Sequence, residues 1–214
     1  ESIDRAGRCM TVEAGVPLEL AQRAAAAEGF MLPLDLGARG SCTIGGNIAT
    51  NAGGNRVIRY GMTRDMVLGL EAVLADGTII SSLNTMLKNN AGYDLKQLFI
   101  GSEGTLGIVT RAVLRLRPAV RSESTAFVAC ESFSQVQNLL AFLESELGGQ
   151  LSAFECLWEQ FYAQVSAGLK APLAQGSAHY VLLESLGADP DYDAERFMTV
   201  LANAAEAGLL VDAV

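Results

Sequence analysis

Histidine is nearly missing from this 214-residue chain, which has only His179, and its four cysteines (Cys9, Cys42, Cys130, Cys156) stand far apart with no Cys-x-x-Cys pair. That pattern excludes a His/Cys metal cluster of zinc-site spacing, and the thiols read as reduced and mostly buried. Cations are also scarce: Lys and Arg total 15 against 24 Asp and Glu, a net charge of −9. A nucleic-acid partner wants clustered cations along its phosphates, so that class is set aside. No apolar run approaches the ~20 residues that span a bilayer. No apolar h-region of a signal peptide follows the charged Glu1–Arg8 stretch. The expectation is a cytoplasmic chain. It opens on Glu1-Ser2-Ile3-Asp4 without methionine and stops at Val214 inside an apolar run, as a piece cut from a longer protein would.

What is present is ordinary globular composition, 50% hydrophobic and 18% charged, in a length that allows one large domain or two small ones. One stretch departs from it. Gly40–Gly54 reads Gly-Ser-Cys-Thr-Ile-Gly-Gly-Asn-Ile-Ala-Thr-Asn-Ala-Gly-Gly, too poor in large apolar groups to build a core. Backbone without Cβ atoms can approach a ligand closely, and its N–H groups can converge on an anion. From Leu36 to Arg64 there are four arginines (Arg39, Arg56, Arg59, Arg64) and no acidic residue, an electropositive island in an acidic chain. Composition alone leaves a mobile glycine-rich loop as an equal reading.

Along the chain, Arg8–Ala14 is strand-prone. Pro17 opens a helix with an apolar face of Leu18, Leu20, Ala21, Ala24 and Ala25, which Gly29 closes. Phe30–Leu34 reads as extended. Thr43–Thr50 fits a short helix with Thr43 as N-cap, which would aim free N–H groups at an anion. Met66–Leu74 and Thr78–Ser81 form a hairpin about a two-residue Asp76-Gly77 turn, and Asp94 caps a short helix through Phe99. A second glycine cluster, Gly101–Gly107, precedes a strand over Ile108–Arg117. After a linker at Pro118–Glu123 the pattern becomes strand, helix, strand, helix, strand, helix, ending in a helix over Tyr192–Ala207. That implies a second α/β layer with its own core.

The order Pro33-Leu34-Asp35, then Gly40–Gly54, then Arg59-Tyr60-Gly61, resembles the vanillyl-alcohol-oxidase (PCMH) type of FAD domain. The run Gly92–Thr110, with Gly101-Ser102-Glu103-Gly104-Thr105-Leu106-Gly107-Ile108 at its centre, is its second hallmark. Together they look like the branch that holds the flavoprotein of glycolate oxidase and the D-lactate dehydrogenases, most of all the D-2-hydroxyglutarate dehydrogenases.

The resemblance implies an α+β fold: the second lobe of the FAD domain over residues 1–118, then the beginning of a ferredoxin-like α/β cap over 119–214. It implies FAD, held without a covalent bond, so that Cys42 is no flavin tether. The cofactor-binding residues it carries over are Pro33, Leu34, Asp35, Gly40, Ser41, Cys42, Thr43, Gly45, Gly46, Asn47, Thr50, Asn51 and Gly53 from the first motif, and Glu103, Gly104, Gly107 and Ile108 from the second. Backbone amides and hydroxyls of this kind suit a pyrophosphate and a ribityl chain. The implied reaction oxidises a D-2-hydroxy acid (D-2-hydroxyglutarate, D-lactate or glycolate) to the 2-oxo acid. Electrons would leave to an electron-transfer flavoprotein or a quinone, and cut faces would promote a homodimer.

Two family features are not in these residues: the first-lobe glycine loop, and the His-rich cap motif whose ligands would hold a divalent metal. No catalytic residue is assigned. His179 matches no motif position and reads as a satisfied or exposed strand histidine. Two other readings remain: a catalytically silent scaffold with half a flavin site, and an FAD domain of different chemistry, as in the peptidoglycan-precursor reductases or the flavin components of molybdenum hydroxylases.

Overall fold

The computed structural model describes residues 1–214, which divide into two compact units, Glu1–Ala119 and Val120–Val214. The fold is α+β. In the first unit the elements run β1 (Ser2–Asp4), β2 (Cys9–Glu13), α1 (Leu18–Ala27), β3 (Phe30–Met31), α2 (Ile44–Ala49), α3 (Val57–Tyr60), α4 (Thr63–Met66), β4 (Val67–Val73), β5 (Ile79–Ser82), α5 (Lys96–Phe99), β6 (Ile108–Arg115) and β7 (Arg117–Pro118). Five strands make one antiparallel sheet in the order β1-β2-β6-β4-β5. The β-branched and leucine side chains of β2, β4 and β6 alternate, and Val12, Leu70, Ala112 and Leu114 are buried on a face shared with Leu18 and Ala25 of α1 and Ile44 and Ile48 of α2. The opposite face carries a small cluster of Cys9, Leu68 and Val113.

The second unit runs β8 (Ser122–Cys130), α6 (Phe133–Glu146), β9 (Leu151–Trp158), α7 (Glu159–Ser166), β10 (His179–Gly187), α8 (Pro190–Glu206) and β11 (Asp212–Ala213). Its sheet is antiparallel throughout in the order β11-β8-β10-β9, the ferredoxin-like arrangement with α7 added between β9 and β10. Val128, Val181 and Leu183 meet Leu139 and Leu143 of α6 and Phe197 and Leu201 of α8 on one face. Tyr180 packs with Tyr162 of α7 on the other. Ser132 and Asp189 cap α6 and α8 by accepting from Gln135 N and Tyr192 N. No helix is long and apolar enough to cross a membrane.

Four local expectations change. The β4–β5 turn has more residues than the two expected: Val73 pairs with Ile79, Leu74 N–H donates to Thr78 O, and Gly77 takes the left-handed φ of 86° that closes a longer hairpin loop. Asp94 does not cap α5 through backbone N–H groups; its carboxylate takes the side chains of Lys96 and Gln97 at 2.5 and 3.1 Å. The strand expected to reach Arg117 breaks at Leu116, whose N–H bonds Arg8 O, and β7 pairs with β3 instead. His179 is neither exposed nor satisfied. It is 6% exposed, neither ring nitrogen has a hydrogen-bond partner, and the Trp158 and Phe133 rings lie 4.7 and 5.8 Å away.

Candidate functional site

Helix α2 begins as its sequence suggests. Thr43 is extended (φ −101°, ψ 155°) and its Oγ1 accepts from Gly46 N at 3.2 Å. The remaining first-turn donors, however, are not free for an anion. Ile44 N–H donates to Val16 O at 2.9 Å and Gly45 N–H to Ala14 O at 2.8 Å, so the helix start is moored to the β2–α1 turn. That mooring explains the glycine: a Cβ on Gly45 would stand 2.6 Å from Ala14 Cβ. Donors without a partner in the chain lie farther on, among them the N–H groups of Gly53, Gly104 and Gly107.

The second motif is tied to the end of α2. Gly101 N–H donates to Ile48 O at 3.0 Å, and Glu103 N–H to Ala49 O at 2.9 Å. Two non-glycine residues at this join, Asn51 (φ 47°) and Glu103 (φ 52°), adopt the left-handed conformation that costs energy outside glycine. Arg64 locks the join. Its backbone N–H donates to Asn51 Oδ1 at 2.9 Å, while its guanidinium donates to Gln97 O and Oε1 at 2.9 and 2.6 Å and to Ile100 O at 2.5 Å.

The result is a groove of about 420 Å³ lined by Ala14, Gly15, Thr43, Gly45 and Gly46 on one side and Glu103, Gly104, Gly107 and Ile108 on the other. Two motifs far apart in the chain thus line one groove. Ile108, a lining residue, is 62% exposed, and Leu106 beside the groove is 51% exposed, two large apolar side chains left facing outward.

The other expected residues lie outside this groove. Pro33 and Leu34 are buried in the loop after β3, and Asp35 accepts from Arg39 Nη1 and Asn55 Nδ2 at 3.0 and 3.3 Å, bracing the two ends of the glycine-rich stretch. A Cβ on Gly54 would collide with Asp35 O at 1.8 Å. Asn47 is buried, with Nδ2 3.6 Å from Cys42 Sγ. Thr50 Oγ1 returns to Gly46 O, and Ser41 Oγ to Ala38 O. Gly40 lies near Glu19, and Gly53 against Val57 and Met62. Sequence reasoning missed Ala14 and Gly15, which reach the groove through the β2–α1 turn, and it missed the clamp formed by Arg64.

The four arginines of the electropositive stretch do not act together: Arg39 pairs with Asp35, Arg64 is held by Gln97 and Ile100, and Arg59 instead shares the Tyr60 ring with Arg117 from outside the stretch. Arg59 and Arg117 sit 5.1 and 5.9 Å from the centre of the Tyr60 ring. Burial, with Arg115, Arg59 and Arg8 nearby, holds the Arg117 guanidinium below its usual pKa. No group of three or more His, Cys, Asp or Glu side chains is placed to hold a metal ion.

A family model described as an FAD binding domain matches residues 1–82. The chain is 45% identical over 205 residues to the mitochondrial D-2-hydroxyglutarate dehydrogenase of Bos taurus, covering 95% of this chain and 38% of that protein. To the mitochondrial enzyme of the same name from Arabidopsis thaliana it is 44% identical over 216 residues, covering 100% and 39%. To D-2-hydroxyglutarate dehydrogenase of Xanthomonas citri pv. viticola it is 42% identical over 208 residues, covering 97% and 43%. It thus spans about two fifths of the length of these relatives. Among solved structures, alkyldihydroxyacetonephosphate synthase matches with a TM-score of 0.75 at 19% identity, over 95% of this chain and 41% of that one, which speaks to the fold alone. The cytoplasmic expectation is overturned by the mitochondrial relatives. Composition and packing do not record a compartment, which an address segment sets independently of the fold.

Proposed function

We propose, from the premise that this chain belongs to the FAD-binding oxidoreductases that include the D-2-hydroxyglutarate dehydrogenases, that the longer protein oxidises a D-2-hydroxy acid to its 2-oxo acid. Residues 1–118 would be the second lobe of its FAD domain and 119–214 the beginning of its cap. The observation that carries this reading is the joining of the two motifs into one groove by the bonds from Gly101 and Glu103 to α2.

The residues fit the cofactor. Gly45 and Gly46 let backbone come close, and the unpartnered N–H groups of Gly104 and Gly107 suit phosphate or carbonyl oxygens. Ile108, an exposed apolar side chain of the groove's lining, would exclude water beside an apolar ring face. FAD supplies a two-electron acceptor for the hydride leaving the substrate α-carbon. This chain's residues hold and orient; none is assigned to move the hydroxyl proton. Electrons would pass on to an acceptor such as an electron-transfer flavoprotein or a quinone.

The test is anaerobic mixing of the FAD-loaded protein, at the length of its relatives, with D-2-hydroxyglutarate, D-lactate and glycolate. Loss of the visible flavin band with at least one of them is expected, and an unchanged band with all of them rejects the substrate class. A second reading applies to the 214-residue chain alone, whose outward Ile108 and Leu106 favour a catalytically silent half-site. It predicts that FAD is lost on gel filtration; FAD that stays bound after gel filtration rejects this.

A further inference from the structure

In the second unit, β11 covers only one end of its neighbour. Asp212 and Ala213 pair with Ala129 and Val128, and Val214 exchanges both backbone bonds with Phe127 at 2.8 and 2.9 Å. The other half of β8, Ser122–Ala126, has β10 on one side and no strand on the other. Because backbone groups alternate along a strand, the residues sharing the edge with Phe127 and Ala129 are Thr125 and Glu123. Their N–H and C=O groups toward that edge have no partner in the chain.

Beside this open half-edge lies an apolar groove of about 510 Å³ between β8 and α8, lined by Ser124, Ala126, Phe197, Met198, Leu201 and Val214 among others. Met198 is 68% and Val214 64% exposed. An open strand edge next to exposed apolar surface is what proteins cover rather than leave bare. The direction of β11 says with what. A chain running on from Val214 in register would put its second and fourth residues opposite Thr125 and Glu123, meeting their free backbone groups. Its first and third residues would fall opposite Ala126 and Ser124, on the face where α8 lies.

We propose that the β8 edge and the α8 groove are the docking site for the polypeptide that follows Val214 in the longer protein. It would extend β11 as an antiparallel strand with apolar side chains at alternate positions toward Phe197, Met198 and Leu201. Nothing in this docking depends on the flavin reading.

The test is amide hydrogen exchange, read residue by residue, in the 214-residue chain and in the same chain carried on by about five residues of its natural sequence, a strand's length. The Glu123 and Thr125 amides should slow by about tenfold or more in the longer chain. The Ser124 and Ala126 amides, already facing β10, serve as the reference. Met198→Asp in the longer chain places a charge in the groove at an exposed position and should return both amides to fast exchange. Equal exchange of Glu123 and Thr125 in the two chains overturns the proposal. So does protection in the 214-residue chain that rises with protein concentration, which would assign the edge to a second copy.

Discussion

At the scale of single residues, a planar guanidinium that serves acceptors 33 and 36 residues away cannot be replaced by an ammonium of equal charge. Arg64→Lys keeps the charge but cannot span Gln97 O, Gln97 Oε1 and Ile100 O together. It should destabilise the first unit by about 2–3 kcal/mol, read as a lower urea midpoint, and weaken FAD retention in parallel. His179 presents the opposite case. A buried imidazole with neither nitrogen bonded forfeits its hydration for nothing, so His179→Leu should be neutral or stabilise the second unit by about 1 kcal/mol in the same assay. Asp193 gives a pH dependence. Its buried carboxylate accepts from Asp189 N at 2.9 Å and Gln150 Nε2 at 2.7 Å, and these bonds, led by the backbone one, hold its pKa below the ordinary 3.8. A depressed folded pKa means the contribution is fully present above the unfolded value and is lost as pH falls through the lower folded one. Denaturant titrations from neutral pH to below 3.8 should therefore show an acid loss of stability that Asp193→Asn reduces.

At the scale of elements, α2 was legible because its signal is local: Thr43, an N-cap residue, stands three positions ahead of the Gly46 N–H that it accepts from. Thr43→Ala removes the bond to Gly46 N and should cost about 1 kcal/mol of first-unit stability, measurable as a shift in thermal midpoint, with a lower FAD affinity because Thr43 also lines the groove. What α2 does with its donors was not legible. Their acceptors, Val16 O and Ala14 O, belong to a turn far earlier in the chain, and nothing in the residues 43–50 announces it. The same reason hid β7, α3 and β11. Each is very short, and two of them are defined by partners far along the chain: Phe30 and Met31 for β7, Val128 and Ala129 for β11. Capping and turn chemistry act within a few positions, so α6, α8 and the β4–β5 hairpin stood out, while edge pairings and the Arg64 clamp did not.

At the scale of the molecule, two cores that could be read as a change of pattern near Pro118 are separate hydrophobic clusters, one around Leu18, Ile48 and Leu70 and one around Leu139, Val181 and Leu183. Every residue lining the candidate groove lies between Ala14 and Val109, inside the first of the two units. Mass action therefore delivers any ligand's free energy to one half of the chain only. Free FAD at a hundredfold excess over its Kd would add about 2.7 kcal/mol to that half and nothing to the other. In a calorimeter one endotherm should climb with FAD concentration while a second holds its temperature, the second unit acting as a thermometer built into the sample. Two endotherms that climb together would place the ligand elsewhere.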